Sequence, residues 1–159
     1  MIRFWTQGEP EAEPDAPPAS ATWSDIGYTY LLGMIDSGLD FFAVASTPID
    51  YRGNRWEALL PHFTTPFIRR PIDINVVCGF GSDLERLWTG GTVMSSLNVA
   101  ITGCHPRLLN GGDLEALKKY QHVIAVNRVS EVFLETMGIK STWVKPSGVE
   151  LAAFFGAIL

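Results

Sequence analysis

Of the three histidines, His105 is the one placed for proton transfer. It follows Thr102-Gly103-Cys104 at the end of an apolar run and precedes Pro106. An imidazole at such a position can act as a general base near neutral pH. Cys104 beside it is a nucleophile by type, but adjacent residues of an extended chain point apart. The two therefore do not make a catalytic pair, and no residue is assigned a confident catalytic role. His62 lies in a Pro-rich stretch and His122 opens an apolar run, so structural roles are expected for both. Cys78 and Cys104 form no CxxC or other spaced metal box, which argues against zinc.

Backbone groups offer a second kind of chemistry. Gly79-Phe80-Gly81 lacks the third glycine of a dinucleotide fingerprint, and no P-loop is present. A tight strand-to-helix turn is the simpler reading of that triplet. Ser24-Asp25-Ile26-Gly27 opens a helical pattern, where free N–H groups can hold an anion or simply be capped.

These residues must be positioned by alternating strands and helices. Strands are expected at 2–6, 40–45, 72–77, 97–102, 122–126 and 141–145, of which 40–45 is a continuous apolar run suited to a sheet covered on both faces. Between them, helices are expected from Ser24 to Ile35 with Gly38 as the stop, over 83–88, from Gly112 to Tyr120 and from Arg128 to Met137. Residues 48–71 carry four prolines, with 56–60 as a short strand or helical turn. Residues 7–21, rich in Pro and acids, are expected to be a mobile acidic loop, either a lid or a solvated insertion. Such alternation builds one three-layer α/β Rossmann-like domain, a parallel sheet with helices on both faces. Ligands of such sheets bind at loops leaving the strand carboxyl ends. The expected cleft therefore comprises Ser24, Asp25, Gly27, Tyr28, Cys78, Gly79, Phe80, Thr102, Gly103, Asn127, Arg128 and Ser147.

The 159 residues fit one domain, and 47% hydrophobic content supplies a substantial core. A net charge of -5 opposes nucleic-acid binding, which needs a basic face. The basic pairs Arg69-Arg70 and Lys118-Lys119 read as solvated element ends. No apolar run reaches the roughly 18–20 residues of a membrane span. The amino terminus does not read as a signal peptide, so a cytoplasmic location with reduced thiols is expected.

The second half of the chain resembles a known family. Ser96–Thr102, Leu114–Val126, Ser130–Gly138 and Val144-Lys-Pro-Ser-Gly-Val149 follow one another as do the last elements of the amino-terminal domain of GT-B glycosyltransferases. In that family a strand ends in "P-x-G-V-D". Asp25-Ile26-Gly27-Tyr28 is similar to the family's first loop. The resemblance implies a Rossmann-like fold and a sugar-transfer cleft whose other wall is a second domain that binds a nucleotide-sugar.

The departures shape the functional expectation. Pro146-Ser-Gly-Val-Glu150 is followed here only by Leu151–Leu159, and Thr102-Gly-Cys-His105 stands where a related subgroup carries "T-M-W-E". The leading expectation is a stand-alone half-domain that binds a small ligand or protein partner without turning over substrate. It has no cofactor of its own; a nucleotide-sugar enters only if a partner domain is supplied. One alternative is a transferase subunit working with a separate donor domain. Another is an interaction or inhibitory module of the kind phage genomes carry. The apolar tail 149–159, read as a helix, puts Leu151, Phe154, Phe155 and Ile158 on one face. That face either folds back on the sheet or forms a homodimer interface.

Overall fold

The computed structural model describes residues 1–6, 23–45, 57–63, 72–79, 84, 97–104 and 112–159. The acidic segment 7–21, Phe80, His105, Arg69-Arg70 and all but Leu84 of the helix expected at 83–88 lie outside them, as do the side chains of Ser24 and Asp25.

Six strands form one all-parallel sheet: β1 (Ile2–Thr6), β2 (Phe41–Ala45), β3 (Ile74–Cys78), β4 (Leu97–Thr102), β5 (His122–Ala125) and β6 (Thr142–Trp143). Their spatial order is β2-β1-β3-β4-β5-β6. The helices described in full are α1 (Trp23–Asp36), α2 (Gly112–Leu117), α3 (Arg128–Thr136) and α4 (Gly148–Ile158), with a 3-10 turn at Glu57–His62. This is the three-layer Rossmann-like architecture.

The layers follow from one handedness rule. Parallel crossovers are right-handed, and the chain runs one way from β1 to β2 but the other way from β3 to β6. Opposite travel with one hand puts α1 on one face and α2 and α3 on the other. On the first face Ile2, Phe4, Ile74, Val76, Val99, Ile101 and Ile124 meet Tyr28, Leu31 and Met34 of α1 and Leu151 and Phe155 of α4. On the second, Trp5, Val77, Ala100, Val123 and Ala125 meet Leu84, Ala116, Leu117 and Leu134.

The tail helix takes the first of its two expected placements and folds back on the sheet. α4 lies against α1, with Leu151 and Phe155 fully buried and Phe154 and Ile158 partly buried against the same core. Two glycines allow the approach. A Cβ on Gly33 would sit 2.6 Å from the Pro146 carbonyl oxygen, and one on Gly148 would sit 2.6 Å from that of Asp36. The Tyr30 hydroxyl adds a bond to the Val144 carbonyl at 2.5 Å. The four residues face inward because the sheet and α1 need covering.

Element ends have local causes. Gly38 (φ 74) and Gly138 (φ 82) take the left-handed turn that closes α1 and α3. α2 stops at Leu117, before the expected Tyr120, because Tyr120 turns inward and donates to the Leu84 carbonyl at 2.5 Å. β6 is shorter than expected. The Glu131 carboxylate accepts the Trp143 N–H at 2.6 Å, occupying a group that an edge strand would otherwise present. Among the described residues no helix is long and apolar enough to cross a membrane.

Candidate functional site

β1 lies between β2 and β3, and the chain leaves β1 and β3 in opposite directions. This is the topological switch point, where crossover loops part and leave a crevice outside the carboxyl ends of the strands. Thr6 ends β1, Cys78 and Gly79 end β3, and the first turn of α1 stands over them. Gly27 sets that closeness: a Cβ there would collide with Thr6 Oγ1 and lie 3.5 Å from Cys78 Sγ. The helix can rest on the strand ends only because position 27 has no side chain.

Thr6 is fully buried, and its Oγ1 has no hydrogen-bond partner. The same holds for Thr102, which ends β4 one strand beyond β3. Alternation along the strands puts Thr6 on the α1 face, with Ile2 and Phe4, and Thr102 on the α2/α3 face, with Ala100. The two hydroxyls thus flank β3 from opposite faces at one edge, two strand spacings or about 10 Å apart. A buried hydroxyl without a partner is costly, and two at one edge mark it as a place where hydrogen-bonding capacity is held in reserve.

Cys78 is not a reactive group. Burial pushes its thiol up to about 12, so it is fully protonated at neutral pH. Cys104 is exposed, and both cysteines are free thiols. Gly79 continues the ladder by donating to the Ile101 carbonyl at 3.1 Å. Beyond β4, Cys104 N–H donates to Ser130 Oγ at 3.1 Å. Asn127 caps α3 by accepting from the Ser130 N–H at 2.7 Å. Ser130 thereby ties the loops after β4 and β5 to one helix start. Arg128 is exposed and paired with Glu131.

The expected cleft residues therefore divide. Gly27, Cys78 and Gly79 meet at the β1/β3 edge, while Thr102, Gly103 and Asn127 form the adjoining β4/β5 edge. Tyr28 is not a cleft residue: it is fully buried, its ring 5.9 Å from that of Phe63. Ser147 is not at this edge either. It caps α4 by accepting from Glu150 N–H, beside Asp36 in the last turn of α1 and about 13 Å along that helix from Gly27. His62 stacks on Phe41 at 4.7 Å, and His122 meets the edge of Phe154. Thr6 and Ser130 had escaped notice, since a Thr ending a strand and a Ser inside a helix carry no pattern of their own.

A cavity of about 570 Å³ lies elsewhere, between the end of α3 and β6. It is lined by Glu131, Glu135, Gly138, Ile139, Lys140 and Ser141. It holds no buried charged or unpaired nucleophilic group beyond Ser141 Oγ, and Glu135 and Lys140 on its wall are exposed, so topology and the two buried hydroxyls are the better guide to a site. Comparison with known protein families, with curated proteins and with solved structures finds no match to this chain.

Proposed function

We propose that these residues form a glycosyltransferase-like ligand-binding domain, taking a small polyhydroxylated molecule at the carboxyl ends of β1, β3 and β4 without turning it over. The carrying observation is the pair of buried hydroxyls with no partner among the described residues, Thr6 Oγ1 at the switch point and Thr102 Oγ1 at the adjoining end of β4. Neutral hydroxyls beside glycine backbone suit sugar hydroxyls, which donate and accept at once. The likeness of the chain's second half to a GT-B amino-terminal domain points to the same ligand class. It also implies that turnover belongs to a second, nucleotide-sugar-binding domain. A cytoplasmic setting accords with the two free thiols.

The test is calorimetric titration of the purified chain with monosaccharides, nucleotide-sugars and free nucleotides, with product analysis in parallel. Saturable saccharide or nucleotide-sugar binding without product, weakened in Thr6→Val, is the expected result. Turnover by the chain alone would sink the proposal, as would binding by no member of the panel.

A further inference from the structure

The opposite end of the sheet carries a second polar group. Arg3, Asn75 and Asn98 are each the second residue of their strand and stand in register on β1, β3 and β4. They share the face of Trp5, Val77 and Ala100, which is otherwise an apolar core. Arg3 is 4% exposed and Asn75 2%. An arginine in an inner strand of a parallel sheet covered on both faces runs against the rule for such strands.

Nothing described neutralises it. Arg3 Nε has no hydrogen-bond partner, and neither has Asn75 Oδ1. Asn75 Nδ2 is taken up by Asn98 Oδ1 at 3.2 Å, and Asn98 N–H by Gln121 Oε1 at 2.7 Å. Asp73, two positions before Asn75, pairs with the Met1 amino group at 2.5 Å. Desolvation lowers the guanidinium pKa, with no carboxylate to hold it up. A buried charge of this kind is strongly disfavoured unless a counter-ion completes it.

We infer that Arg3 and Asn75 form a phosphate subsite, separate from the strand-end site. The unmet groups are one cationic donor and one neutral acceptor on adjacent strands. A hydrogen phosphate satisfies both: an ionised oxygen accepts from Arg3 Nε–H, and the P–OH donates to Asn75 Oδ1. Sulfate, which carries no proton near neutrality, can satisfy only the first. Free phosphate and a phosphate monoester carry the same chemistry here.

The experiment is thermal unfolding of the full chain at pH 6.5 and constant ionic strength, titrated with inorganic phosphate, methyl phosphate and sulfate. A saturable rise in Tm with phosphate, larger than with sulfate, is expected. A matching response to methyl phosphate identifies a monoester site, and a response to inorganic phosphate alone identifies a free-ion site. Arg3→Met should weaken phosphate binding at least about tenfold, the usual worth of a hydrogen bond to a charged group. Asn75→Asp places a carboxylate beside the guanidinium. It should raise Tm without phosphate and abolish the response to it. The inference is overturned if wild type gives no saturable response, if sulfate equals phosphate, or if Asn75→Asp responds like wild type.

Discussion

Thr102→Val isolates the cost of a buried hydroxyl held without a partner. Thr102 is fully buried at the end of β4, and its Oγ1 meets no acceptor or donor. Replacing O–H by a methyl group keeps the β-branched shape and removes a desolvation penalty of about 1–3 kcal/mol. The extra volume has somewhere to go, since the residue in register on β5 is the small Ala125. Offsetting about 1 kcal/mol for imperfect repacking leaves a net gain of up to about 2 kcal/mol. For a domain of this size that raises Tm by up to roughly 4–8 °C. Calorimetry or urea unfolding without ligand reads it directly. A Tm that falls would refute the reasoning, because it would mean the hydroxyl is bonded in solution. The companion expectation is weaker saccharide binding by the same variant, a trade of stability against function.

Leu151→Ala and Phe155→Ala should each destabilise the fold, by about 2–5 and 3–5 kcal/mol, because both side chains are fully buried under α1; urea unfolding checks this, and unchanged stability would mean α4 is not docked. Asn127→Ala removes the cap on Ser130 N–H and should cost about 0.5–2 kcal/mol, read as a lower urea midpoint at unchanged slope. A thiol-reactive dye should titrate one cysteine in the native protein, the exposed Cys104, and two after unfolding. The buried Cys78 also sets an alkaline limit. Between pH 9 and about 12 the unfolded thiol releases its proton while the folded one keeps it, so stability falls as pH rises through that window. Tyr30, also raised by burial, steepens the loss at the upper end. A flat unfolding free energy from pH 8 to 11 would contradict this.

The sheet was legible in the sequence because burial on both faces demands mainly apolar strands, and 2–6 and 97–102, apolar but for Arg3, Thr6, Asn98 and Thr102, became strands at those bounds. Less legible was anything that depends on rotation or on partners. The helical spacing of Leu151, Phe154, Phe155 and Ile158 defines an apolar face but not what covers it, and α1 covers it. Tyr28 sits one residue from Gly27, yet one step around a helix turns it by about 100°, from the strand ends into the core. The hydroxyls of Thr6 and Thr102 matter for what they do not touch, a property absent from composition and spacing alike.

The seam between α1 and α4 also bears on how the chain reaches this fold. The Tyr30–Val144 bond joins residues 114 positions apart, and α4 supplies Leu151 and Phe155 to a core that α1 enters near the start of the chain. Closing so long a loop carries an entropic cost that local contacts cannot offset in advance. Docking of α4 is therefore expected late in folding, with one face of the sheet partly bare to solvent until then. Release of the same seam is the natural first step of unfolding. A disulfide across it would slow unfolding more than it speeds folding.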